Sequence, residues 1–262
     1  MKKRFSFIGV TDVSDSREVE EFLGTFKNFW PENEVYKLQI GPMTNPLIIA
    51  GVGGSEWDDI WPKPERLAEL FLSDEKLFNT VHYANPNSND NFLNDLLAIT
   101  YYGGENLHGI QLDMVWPSIE VLRMYREKNP HIKIILQVGN DSLKQVFDKK
   151  ETLVDHLRLY EALIDYVLLD MSMGRGIAMN PDLLAQHISL IQDSFPGLGV
   201  AVAGGLGPDT AELAYPLLER FKGLSVDAQR KLHRDEDLRK PLDIGSVNMY
   251  IIKNLNFILD NS

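Results

Sequence analysis

Three aspartates each close a short apolar run: Ile110-Gln111-Leu112-Asp113, Val167-Leu168-Leu169-Asp170 and Leu224-Ser225-Val226-Asp227. A carboxylate at a strand end can give or take a proton, or help hold a hard cation. It can also simply cap the helix that follows. Three on alternate strands point to an acidic rim, with loop capping the alternative at each position.

Two glycine-bearing segments follow such runs. Asp170 leads into Met171-Ser172-Met173-Gly174-Arg175-Gly176, and Ala203 into Gly204-Gly205-Leu206-Gly207-Pro208. Glycine lets backbone N–H groups approach a ligand and adopts positive φ. A following helix adds its positive end, so an anion can be held without lysine. A tight turn is the alternative reading of Gly204-Gly205. Arg175 could meet the same anion or lie solvated, and Gln229 and Arg230 follow the third aspartate closely enough to contribute. His82 lies within a strand and reads as a hydrogen-bonded core residue or a site residue. Asn85 and Asn87 follow it, with turn formation the alternative. Trp57, Trp61 and Trp116 either line a pocket for a planar ring or pack.

The elements that must position these residues alternate along the chain. Strands are expected at 5–10, 47–52, 79–83, 109–112, 132–138, 166–169, 199–203 and 223–226. Helices are expected at 16–30, 64–72, 89–101, 118–128, 150–163, from Asn180-Pro181 onward, at 208–221 and at 244–259. Residues 35–40 alternate like an exposed strand and read as an insertion. The core runs are continuously apolar, as in a parallel sheet covered on both faces. Eight strand–helix units in about 250 residues is the arithmetic of a (β/α)₈ barrel, with a doubly wound sheet as the alternative. The chain then forms one domain, 1–262. The elaboration, around 12–60, is expected between the first and second barrel strands. In a barrel the strand-end aspartates and the glycine loops share the C-terminal face, where the βα loops converge.

Composition bounds the partners. With 26 Lys+Arg against 38 Asp+Glu, the net charge of −12 leaves no basic excess for nucleic acid or an anionic membrane. The chain has no cysteine, so disulfides, thiolate metal sites and a cysteine nucleophile are excluded. No apolar run reaches the ~18 residues of a membrane span. The basic start lacks a signal-peptide pattern, so a cytoplasmic location is expected. Oligomeric state, including a homo-oligomer, is left open.

In order along the chain, these residues resemble the phosphoribosylanthranilate isomerase family. Phe7-Ile8-Gly9-Val10-Thr11 is similar to its I-C-G-I-T, and Trp61-Pro62-Lys63-Pro64-Glu65-Arg66 to its Y-P-K-S-x-R. Gly109-Ile110-Gln111-Leu112-Asp113 resembles G-V-Q-L-H-G. Leu168-Leu169-Asp170 through Gly174-Arg175-Gly176 resembles L-L-D followed by G-G-T-G. Ala203-Gly204-Gly205-Leu206-Gly207-Pro208 matches A-G-G-L-x-P, the most specific of the set, and residues 225–229 stand at V-D-V-S-S-G.

The resemblance implies a ribulose-phosphate-binding barrel that isomerises a phosphorylated sugar derivative by acid/base chemistry, without a cofactor or metal. Asp170 matches the family's acid. The family's cysteine base aligns with Ile8, its strand-four histidine with Asp113, and its strand-eight serines with Ala228 and Gln229. A positioned base contributes about 10²–10⁴-fold in rate, so either Asp113 takes that role or the chemistry differs. Phosphate falls to Gly174, Arg175, Gly176, Gly204, Gly205 and Gln229, and substrate lining to Gln111, Asp227, His82 and Asn85. Two other readings stay open. One is a metal-dependent epimerase or aldolase using the aspartates and His82. The other is a barrel that binds a phosphorylated metabolite without turnover.

Overall fold

Side chains alternate between two environments along every strand. The computed structural model describes residues 5–30, 35–86, 90–148, 152–170 and 178–261. Its barrel strands are β1 (Ser6–Thr11), β2 (Tyr36–Gly41), β3 (Leu77–Ala84), β4 (Gly109–Asp113), β5 (Lys133–Val138), β6 (Tyr166–Asp170), β7 (Gly199–Ala203) and β8 (Ser225–Ala228). Each pairs in parallel with the next, and β8 pairs with β1, closing the cylinder. A two-residue strand, Met43–Thr44, adds to the end of β3. The fold is a (β/α)₈ barrel.

One set of alternate residues packs outward against the helices: Ile8, Val10, Leu38, Val81, Leu112 and Val167 are among them. The other set fills the lumen, which has two storeys. Below, Phe7, Phe78, Ile135, Tyr166, Leu168 and Ala201 form an apolar plug. Phe7 and Tyr166 meet edge to face with ring centres 5.4 Å apart. Above, toward the strand C-termini, the lumen turns polar with Thr11, Gln39, Thr80, His82, Gln111 and Gln137, all buried. Apolar burial sets the base of the barrel, and chemistry is confined to the other end.

The helices clasp the outside through apolar stripes. Helix Ser16–Phe29 starts in a capping box between Asp15 and Glu18 and buries Val19, Phe22, Leu23 and Phe26. The final helix, Ile244–Asp260, is capped by Asp243 and packs beside it.

Four expectations about elements are corrected. The second barrel strand is β2, at Tyr36–Gly41, and not residues 47–52. Residues Pro46–Ala50 form a helix, with the Asn45 side chain accepting from Ile48 N–H at 2.9 Å and Gly51 closing it at φ 65°. The elaboration therefore follows the second strand rather than preceding it. The single helix expected at 150–163 is only Leu153–Arg158, preceded by a separate helix at Asn140–Asp148. The stretch 208–221 resolves into a 3₁₀ turn, Ala211–Ala214, and a short helix, Tyr215–Arg220.

Candidate active site

At the C-terminal mouth an open cleft, about 480 Å³ with the solvent-open space above it included, is lined by His82, Asp113, Gln137, Asp170, Asp227 and the loops 203–206 and 228–231. The three strand-end aspartates and the glycine pair thus open onto one space. Asp113, Asp170 and Asp227 point inward because each stands an even number of residues from the lumen positions below it on its strand.

Beneath the cavity an amide chain runs across the lumen. Gln39 Nε2 donates to Thr80 Oγ1 at 3.0 Å and to Gln111 Oε1 at 3.2 Å. Gln111 Nε2 lies 3.1 Å from His82 Nδ1 and donates to Gln137 Oε1 at 3.2 Å. Gln137 Nε2 reaches Asp170 Oδ2 at 3.5 Å. With both Gln111 protons donated, His82 Nδ1 accepts, so the neutral ring carries its proton on Nε2. That nitrogen faces Asp113 Oδ2 at 3.6 Å. Burial opposes charge on His82, but Asp113, with Asp227 and Asp12 behind it, outweighs burial and raises its pKa.

Asp227 is 4% exposed and accepts from the Thr11 hydroxyl at 3.1 Å. Burial pushes its carboxyl up to about 6. The Asp170 charge adds to this, while His82, Thr11 and Gln111 oppose it.

The glycine loop is built for close approach. Gly204 sits at φ 125° and Gly205 at φ 65°, conformations that disfavour any side chain. Their carbonyls are occupied: Met179 N–H donates to Gly204 O at 3.2 Å and the Thr210 hydroxyl to Gly205 O at 2.6 Å. In a trans peptide the N–H points opposite the carbonyl, so the Gly205 and Leu206 amides face away from those partners. Arg230 and Lys231 lie at the rim, where Lys231 Nζ also meets Glu236 at 3.1 Å.

Other residues singled out by sequence fall around this centre. Gln229 lines the cavity, and its amide donates to Asp12 Oδ2 at 3.3 Å. Gln111 lies one storey below the lining, fully buried. Asn85 is turned away from the lumen: its amide donates to the Tyr83 hydroxyl at 3.1 Å. Gly174, Arg175, Gly176 and Asn87 lie outside the described residues. Trp57 and Trp61 stack on each other at 4.8 Å, and Trp116 packs on His156 and donates to Ser142 O, so these rings pack.

Ile8 requires a correction. It faces the helices, while Phe7, Gly9 and Thr11 face the lumen, so the residue aligned with the family's base does not border the site.

Sequence reading missed Gln39, Gln137 and Thr11. Each is a polar residue at an inward position of a strand, a period-2 signal masked by apolar neighbours. It also missed Asp12 and His233, which meet at 3.3 Å beside the cavity.

The fold and site define a (β/α)₈ barrel with an acidic, glycine-flanked mouth. No family model and no curated protein matches the chain. Solved structures match by shape, 281 chains among them. One belongs to a cube-shaped, highly porous protein cage designed by fusing symmetric oligomeric domains. It aligns at TM-score 0.54 and 10% identity, over 99% of this chain and 74% of that one. At that identity the likeness is of fold alone. Among the described residues, no helix is long and apolar enough to cross a membrane, and no three His, Asp or Glu side chains are grouped to hold a metal ion.

Proposed function

We propose that the barrel is an acid/base isomerase, similar to the phosphoribosylanthranilate isomerases, acting on a phosphorylated sugar derivative. The observation that carries this reading is the convergence of Asp113, Asp170 and Asp227 with Gly204 and Gly205 on one cavity. Isomerisation of a sugar needs a proton delivered to oxygen and another removed from carbon, and the mouth holds several carboxyl groups at close quarters. Asp170 is the proton donor. Proton acceptance falls to a second rim carboxylate, Asp113 being the one the sequence singles out. The phosphate goes to the amides of the 204–206 loop, with Arg230 and Lys231 supplying charge and Gln229 a further donor. No redox cofactor is needed, because the reaction is redox-neutral within one molecule.

The metal-dependent alternative has no three-ligand group among the described residues to build on. The binding-only alternative rests on the missing cysteine base, and turnover of any screened compound removes it.

The test is calorimetry with inorganic phosphate, followed by a screen of pentose phosphates and their anthranilate glycosylamines. The reading expects a phosphate-dependent rise in Tm, lost in a Gly205→Val variant, and turnover abolished by Asp170→Asn. A Tm indifferent to phosphate, with no turnover of any compound, overturns it.

A further inference from the structure

We infer that Asp227 is the group that takes the carbon-bound proton, its carboxylate occupying the lumen volume left open by Gly9. The inference rests on the acid/base reading above and assigns to β8 the step that sequence gave to Asp113.

Gly9 and Asp227 are register partners on paired strands, as are Gly9 and Gln39. A Cβ built on Gly9 would lie 2.4 Å from Asp227 Oδ1 and 2.8 Å from Gln39 Oε1. Strand β1 therefore presents no side chain at this level, and the carboxylate from β8 fills the gap. The next inward residue, Thr11, fixes it through the 3.1 Å hydrogen bond. The carboxylate is held across the lumen rather than out toward the loops, and it borders the cavity from below.

Asp113 is differently placed. Its side chain is 29% exposed and faces His82. A base in contact with solvent is a weaker acceptor than one held dry, with the Thr11 hydroxyl and the Gln111 amide as its hydrogen-bond partners. The groups facing Asp227 are His82 from β3, Gln111 from β4, Asp170 from β6 and Thr11 from β1, with Tyr250 of the final helix behind. Among the described residues no Lys or Arg pairs with it. Burial keeps its affinity for a proton near neutrality, where a general base is most effective.

In the step itself the C–H bond beside the substrate carbonyl or iminium breaks, and its proton moves to Asp227. Its electron pair becomes the C=C bond of the enediol or enaminol. The π pair of the former double bond moves to the carbonyl oxygen, which takes a proton from Asp170, or to the iminium nitrogen. The nitrogen needs none, because Asp170 has already given its proton to the ring oxygen as the C1–O bond broke. The enol hydroxyl then returns a proton to Asp170 as its oxygen forms the new C=O, and the C=C pair takes the proton from Asp227 at the neighbouring carbon, with no oxidant or reductant.

The experiment measures deuterium uptake from D₂O into pentose phosphates and their anthranilate glycosylamines, by mass spectrometry. Asp227→Asn is expected to lower exchange by at least ~100-fold while keeping the phosphate-dependent Tm rise. The unaltered protein is expected to show a pH–rate limb near 6 that the variant loses. Asp227→Gly combined with Gly9→Asp, which returns a carboxylate to the same space from β1, is expected to recover part of the rate. If Asp227→Asn exchanges normally while Asp170→Asn does not, the inference falls and the acid/base reading stands. If the unaltered protein exchanges none of these compounds, both fall.

Discussion

His233 is held between two acceptors, Lys240 O at 2.6 Å from Nδ1 and Asp12 Oδ2 at 3.3 Å from Nε2. A ring facing an acceptor on each side is satisfied only when both nitrogens carry protons. Burial works against that charge, but Asp12 and the Lys240 carbonyl prevail and raise the His233 pKa. The contact ties the loop after β8 to Asp12, which follows β1 at φ 81°. The same Asp12 accepts from Gln229, so the pair braces one wall of the mouth.

A histidine raised in the folded state stabilises fully below its ordinary value of about 6.5 and loses that contribution as pH climbs through the folded value. The Tm gap between the unaltered protein and His233→Gln is therefore expected to be widest near about pH 6 and to narrow on the alkaline side. Thermal scans across that range check it, and a gap independent of pH would contradict the imidazolium.

Asp227 has the opposite consequence for a carboxyl. Its raised pKa means the folded protein favours the protonated form, a preference lost as pH rises from 3.8 through about 6. Above that, the buried charge costs on the order of 3 kcal/mol, at about 1.4 kcal/mol for each pKa unit. Asp227→Asn is expected to raise stability toward neutral pH by up to that amount, with the gain fading below about pH 4. Chemical denaturation at both ends of the range measures it.

The pairing of His82 with Asp113 predicts a titration effect. Asp113→Asn removes the charge that keeps the His82 pKa up, so burial dominates and the pKa falls. Protonation in the unaltered protein also requires Gln111 to turn its oxygen toward Nδ1. Proton NMR of the imidazole across pH, in both proteins, reads the shift directly.

The lower lumen should respond as a packed core. A Cβ on Gly199 would lie 2.1 Å from Tyr166 Cδ1, so Gly199→Ala is expected to cost about 1–3 kcal/mol by overpacking. Ile135→Ala, in the same plug, is expected to cost about 2–5 kcal/mol by opening a cavity. Urea midpoints should fall in both, with phosphate binding at the mouth retained.

The barrel was legible because its buried strands carry continuous apolar runs with helical stretches between them. The misplacement of β2 has a physical cause. Tyr36-Lys37-Leu38-Gln39-Ile40 alternates because the lumen is polar at Gln39 and because Lys37 lies at the base over the Phe5 ring, 4.9 Å away. Polar residues at period 2 signalled solvent, when the second face was the barrel interior. Residues 47–50 were too short a run for periodicity to separate strand from helix. Asn45-Pro46 held the deciding signal, the same cap-and-proline start that identified the helix at Asn180-Pro181. At the site, the carboxylates could be read because each ends an apolar run. The bracing contacts of Asp12, Gln229 and His233 depend on loop geometry that no local pattern encodes.

The aromatic plug of Phe7, Phe78 and Tyr166 gives the barrel a closed floor. A proton leaving the interior carboxylates must therefore exit upward, through the same doorway by which a ligand arrives. Any molecule large enough to cover that doorway would seal these acids from bulk water, and their proton inventory would stay fixed until it departs.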